Sequence, residues 1–100
     1  MLTVYCTCKD TNEAQKIARL LLDKKLIVCA NMLPINSMFL WEKKICETTE
    51  TLLLLKTKES NFKKIQTEIT KIHSYNVPFI GAFPEQTTPD IERWLKEELE

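Results

Sequence analysis

The sequence predicts an α+β fold, an α/β sandwich of element order β-α-β-β-α-β followed by a C-terminal helix. Three observations carry that reading. Two amphipathic stripes, Ala14-Ile17-Ala18-Leu21 and Phe62-Ile65-Ile69-Ile72, separate blocks of strand-forming residues. The hydrophobic residues, 44% of the chain, come in blocks rather than strict alternation. A single glycine, Gly81, interrupts them. At 100 residues the chain is one domain, residues 1–100, and a chain this short buries only about 60–65% of the surface it exposes when unfolded.

Each element has its own signature. Residues 2–8 (LTVYCTC) form a strand with Leu2, Val4, Cys6 and Cys8 on one face, because side chains alternate. Asp10-x-x-Glu13 or Asn12-x-x-Gln15 caps the first helix, which ends near Lys24 and Lys25, where cations suit the helix dipole. Residues 26–33 (LIVCANML) are apolar on both faces, Pro34 interrupts them, and strand character resumes at 38–41 (MFLW). After a turn at Glu42-Lys43-Lys44 the chain returns through residues 45–57, so the two runs read as a long hairpin. The second helix ends around His73. Residues 77–83 (VPFIGAF) form the last strand, with Pro78 at an edge or strand start and Gly81 allowing close backbone approach. Thr88 caps the final helix, Pro89 opens it, and Ile91, Trp94, Leu95 and Leu99 make its inner face.

That order is the split βαβ, or ferredoxin-like, arrangement, in which both main helices cover one sheet face and leave the other open. Here the strands at 26–33, 52–55 and 77–83 are apolar on both sides, the pattern of a doubly buried sheet. Taken as one bent strand, residues 26–41 would span roughly 50 Å, against a radius of gyration of about 13 Å for a globule of this size. The hairpin must project, and identical subunits are the default cover for such surface. Charge argues against polyanion partners: 14 Lys+Arg balance 14 Asp+Glu, which leaves no excess for a nucleic-acid backbone, and other protein partners stay open. No apolar run approaches a membrane span, the first residues lack a signal-peptide pattern, and Cys6, Cys8, Cys29 and Cys46 read as reduced thiols, so the expectation is a cytoplasmic protein.

The residues also resemble a family. Cys6-Thr7, Cys29-Ala30-Asn31, Phe39-Leu40-Trp41-Glu42-x-Lys44-Ile45, Glu50 with Leu53-Leu54-Leu55-Lys56-Thr57, His73-x-Tyr75-x-Val77-Pro78 and Trp94-Leu95 together resemble the CutA-type divalent-cation tolerance proteins from end to end. The resemblance implies a ferredoxin-like homotrimer joined through sheets and long hairpins, with a link to copper and other divalent metals and no established reaction. It also implies a second reading, a PII-like sensor binding a small anionic metabolite in inter-subunit clefts. The chain departs from the family pattern at Lys43, where glycine is common, at Ser74, where proline is usual, and at Phe79, where an acid is common after the proline; Asn76 stands where acidic or amide residues are common after the tyrosine.

Copper favours thiolate and imidazole. His73 is the one imidazole, and in the family arrangement it lies near a subunit boundary, within reach of Cys6 and Cys29, which makes these three the candidate site for copper or another divalent cation. No such ion is required for folding. The structural alternative is that His73 caps a helix while the cysteines act as small buried hydrophobes. Cys6-x-Cys8 places two thiols on one strand face, as a chelating or redox pair. Asn31, Lys56 and Tyr75 form a second candidate, a ligand pocket between subunits; structurally, Lys56 pairs instead with Glu50 or extends to solvent. Trp41 and Trp94 are interface anchors. Only Arg19 and Arg93 are available to hold a phosphate, and there is no glycine-rich loop and no nucleophile with a matched base, so the chain reads as non-catalytic.

Overall fold

A computed structural model describes residues 1–99. Strand β1 (Leu2–Cys8), helix α1 (Thr11–Asp23), the hairpin β2 (Cys29–Trp41) and β3 (Lys44–Thr57), helix α2 (Phe62–Ile72), strand β4 (Ile80–Pro84) and helix α3 (Pro89–Leu99) follow the expected order. The four strands make one antiparallel sheet in the order β2-β3-β1-β4. Leu2, Val4, Cys6 and Cys8 alternate onto the helical side, where they pack with Ala14, Ile17, Leu21, Leu53, Leu55, Ile65 and Ile69. That one-sided core sets the alternation in β1 and its partners.

The first cap forms at Asp10, whose carboxylate accepts the Glu13 N–H at 2.9 Å. Thr88 caps α3 through the Ile91 N–H, and Leu95 and Leu99 are buried beneath that helix. Ile91 is half-buried, and Trp94 stays 38% exposed, so the inner face of α3 is narrower than its apolar pattern implies.

Three details differ from the sequence expectation. Strand β2 begins at Cys29 and runs unbroken through Pro34, which stands opposite Thr51. It is an edge strand, and a residue without an N–H is tolerated where one side of the strand has no neighbour. Strand β4 starts at Ile80, so Val77, Pro78 and Phe79 lead into it, and Val77 is 72% exposed. The turn is two residues long: Glu42 and Lys43 adopt φ of 52° and 64°, the type I′ geometry that matches strand twist in a tight hairpin.

The open face and the hairpin are not covered within one chain. Leu33, Met38, Phe39, Leu40, Trp41, Ile45 and Phe83 are all exposed large hydrophobics. The longest dimension reaches 45 Å and the Cα radius of gyration is 14.2 Å, above the roughly 13 Å of a compact 100-residue chain.

Candidate functional site

The chemistry-bearing residues gather where β1 ends, α1 begins and α2 stops. Alternation along β1 turns Cys6 and Cys8 to the same side, and both are fully buried. Helix α2 terminates at Ile72, and His73 leaves it in an extended conformation while its N–H still donates to the Ile69 carbonyl at 2.9 Å. The ring, with no exposed side-chain surface, is thereby carried to the end of β1. There the donor atoms of Cys6, Cys8 and His73 lie within 4.8 Å of one another.

Neighbouring backbone fixes the imidazole. The Tyr75 N–H lies 3.0 Å from His73 Nδ1, which must accept, so Nε2 carries the proton and donates to the Thr7 carbonyl at 3.0 Å. The same carbonyl accepts from the Cys6 thiol, with 3.7 Å between sulfur and oxygen. The Cys8 hydrogen bond, burial, and the Glu13 and Glu50 carboxylates push the Cys6 thiol up, so it stays protonated at neutral pH. A protonated thiol is a poor nucleophile.

Glu13 organises the polar side of the cluster. Its Oε1 accepts the Lys9 N–H at 2.9 Å and its Oε2 accepts the Ser74 N–H at 2.7 Å, leaving Oε2 3.9 Å from His73 Nδ1. Burial works to push this carboxyl up, but the Lys9 and Ser74 donors and the nearby His73 outweigh it and hold the group below the usual carboxylate range. Tyr75 packs its ring 4.9 Å from that of His73 and donates its hydroxyl to Glu50 at 2.6 Å. Burial and that carboxylate push the phenol up.

Cys6 and His73 therefore meet within one chain. Cys8, on the strand face that the sequence assigns to a thiol pair, is the third member. Cys29 stands apart on β2, opposite Lys56, its thiol directed at Asn31 Oδ1 at 3.7 Å. Asn31 is exposed, and Lys56 bonds Glu85 at 3.2 Å and Thr3 at 3.3 Å rather than Glu50. Tyr75 reaches Glu50 instead, and six residues of strand separate Glu50 from Lys56, about 20 Å. Asn31 and Lys56 thus share one end of the sheet while Tyr75 marks the other, so no single pocket in one protomer contains all three. Trp41 is 54% exposed at the hairpin end and Trp94 lies on α3. Glu13 is legible in the sequence only as a cap. Its second role needs α2 to end beside α1, and nothing in the local pattern signals that.

Comparison with known proteins places this geometry. The family profile described as "CutA1 divalent ion tolerance protein" matches residues 2–98. A "Divalent-cation tolerance protein CutA" from Archaeoglobus fulgidus is 42% identical over 97 residues, covering 97% of this chain and 89% of that protein. The Pyrococcus horikoshii protein of the same description is 35% identical over 99 residues, covering 98% of this chain and 97% of its own. Among solved structures, the "Periplasmic divalent cation tolerance protein CutA" from Archaeoglobus fulgidus superposes with a TM-score of 0.97 at 38% identity, each chain covered in full. CutA1 from Pyrococcus horikoshii superposes with a TM-score of 0.94 at 34% identity, over 100% of this chain and 99% of that one. None of these is described as a PII-type regulator, so the metabolite-sensor reading gains no support.

Proposed function

This chain belongs to the CutA1 divalent ion tolerance family, and from that premise we propose that it acts as a non-catalytic homotrimer in the cytoplasm, holding copper or another soft divalent cation through Cys6 and His73. The convergence of thiol and imidazole donors within 4.8 Å, away from solvent, carries the cation part of this reading. Two thiols and an imidazole form a soft donor set, suited to late transition metals and unsuited to calcium or magnesium. Free cysteines supply such ligands only while reduced, which fits a reducing compartment.

Assembly is supported by surface area. One protomer exposes 6913 Å², whereas a monomeric protein of 11.7 kDa is expected to expose about 5,900 Å². The excess lies where Leu33, Met38, Leu40, Trp41 and Ile45 stand in the open, the kind of patch that marks a protein interface.

The tolerance reading is tested in cells. Deleting the gene is expected to lower the copper or zinc concentration that arrests growth, wild-type protein to restore resistance, and Cys6→Ser to fail despite normal abundance. Equal sensitivity of deleted and restored cells would remove it.

A further inference from the structure

The geometry points to Cys6, Cys8 and His73 as one complete intrachain site for a thiophilic divalent cation with a filled d shell, of the zinc and cadmium class, bound in place of the two thiol protons. It rests on the cation-binding reading above and narrows it in two respects: the third ligand is Cys8 rather than Cys29, and the cargo is chosen by charge as well as by softness.

Charge supplies the first argument. Replacing two thiol protons with one divalent ion leaves two thiolates, a neutral imidazole and a metal whose charges cancel, and the two protons leave to solvent. The cluster is fully enclosed, where an uncompensated charge is strongly penalised. Monovalent copper on the same ligands would leave one net negative charge, and the Glu13 carboxylate already stands 3.9 Å from the imidazole. Copper in its divalent state prefers tetragonal nitrogen and oxygen surroundings, which two sulfurs do not provide.

Geometry supplies the second. A tetrahedral site with metal–sulfur bonds of about 2.3 Å needs sulfurs about 3.8 Å apart. With every donor pair within 4.8 Å, the ligands have to close by no more than about 1 Å. The Thr7 carbonyl oxygen, 3.0 Å from His73 Nε2 and 3.7 Å from Cys6 Sγ, is a harder atom available to complete four donors. Ligation through Nε2 moves the ring proton to Nδ1, so the Tyr75 N–H contact there gives way and Glu13 Oε2, 3.9 Å from Nδ1, becomes the acceptor, the role that carboxylate partners of metal-bound histidines play. Glu13 acts here as a positioning residue.

Titration of the whole reduced protein with Co(II), followed by displacement with Zn(II) and Cd(II), tests the assignment. Wild type is expected to take one equivalent per protomer, with tetrahedral Co(II) visible bands and a charge-transfer band from two thiolates, and to ignore Mg(II) and Ca(II). Cys8→Ser should lose about half of that band and weaken Cd(II) binding by at least about 100-fold, while Cys29→Ala changes neither. Glu13→Gln should weaken Cd(II) by about 10-fold or more with the two-thiolate band intact. Cadmium-edge absorption on wild-type protein needs no variant and should count two sulfur neighbours. Unchanged binding in both Cys8→Ser and Cys8→Ala, loss of binding in Cys29→Ala, or uptake of Cu(I) with no uptake of Zn(II) or Cd(II) would each overturn the site. Loss of growth protection alongside intact Cd(II) binding would instead defeat the tolerance reading and leave the site standing.

Discussion

At the scale of single residues, Glu13 ties three segments together with one carboxylate. From the first turn of α1 it accepts from the β1–α1 loop at Lys9 and from Ser74 across 61 positions of sequence. Hydrogen bonds to a charged group contribute about 1.5–3 kcal/mol, so Glu13→Gln is expected to destabilise the protein by roughly that amount at pH 7, measured by urea unfolding. The pH dependence follows from a carboxyl held below its usual range. Its contribution is complete above the unfolded carboxylate value of about 4.3 and is lost as pH falls through the lower folded value. Wild type and variant should therefore converge in acid; parallel stability curves would refute this role. Gly81 makes a second prediction. A Cβ placed there meets Tyr5 Cε1 at 2.9 Å and Phe79 Cε1 at 3.0 Å, and Tyr5 also packs against Phe79 and Phe83 with ring centroids 5.3 and 6.1 Å away. Gly81→Ala is expected to cost about 1–2 kcal/mol in the same assay, less than the largest overpacking penalties because the half-exposed Phe79 ring can give way; an unchanged midpoint would refute it. The Asp10-x-x-Glu13 pattern shows the cap in the sequence. The contact with Ser74 depends on tertiary placement and is not written locally.

At the scale of elements, the apolar pattern marks every α-helix and strand but not the short 3-10 turn Glu59–Asn61 ahead of α2, and the structure departs from the pattern where backbone hydrogen bonding overrides composition. The apolar block LIVCANML reads as strand from Leu26, yet the Leu26 carbonyl is engaged by Thr57 Oγ1 at 2.6 Å and by Asn61 Nδ2 at 3.1 Å. That closes the corner after α1 and delays β2 to Cys29. Pro34 reads as a break because sequence alone does not say which strand lies at the edge. The hairpin turn offers a test. Glu42 and Lys43 both hold left-handed backbone without glycine, a conformation that costs a side-chain-bearing residue about 1 kcal/mol. Lys43→Gly is expected to raise stability by up to about that amount, read as a higher unfolding midpoint in urea. A lower midpoint would mean that the lysine side chain contributes more at the tip than its backbone strain costs.

At the scale of the molecule, the exposed large hydrophobics of the sheet face and hairpin are where the proposed assembly has to be tested. This apolar surface was legible in the sequence as strands without a polar face, whereas its distribution was not: Leu52 and Leu54 are half-buried on the open face, while Leu40 and Ile45 at the far end are 75% and 72% exposed. Those two residues are cross-strand partners next to the turn, so they form an apolar pair on one face of the hairpin end, while Trp41, the next residue along β2, belongs to the opposite face. An apolar pair of this kind at the centre of an interface depends on full exclusion of water. Leu40→Glu with Ile45→Lys places opposite charges directly across the strands, which sustains the hairpin itself while opposing apolar contact with another subunit. Light scattering should return about three times the 11.7 kDa chain mass for wild type and a smaller mass for the double variant at micromolar concentration. The far-ultraviolet spectrum of the variant should stay close to that of wild type, because the helix-side core around Val4, Leu53 and Ile65 lies within a single chain. A double variant that keeps the full trimer mass would show that the hairpin end lies outside the interface and that subunits meet through the open sheet face alone. A wild-type protein that scatters as one chain would end the trimer proposal.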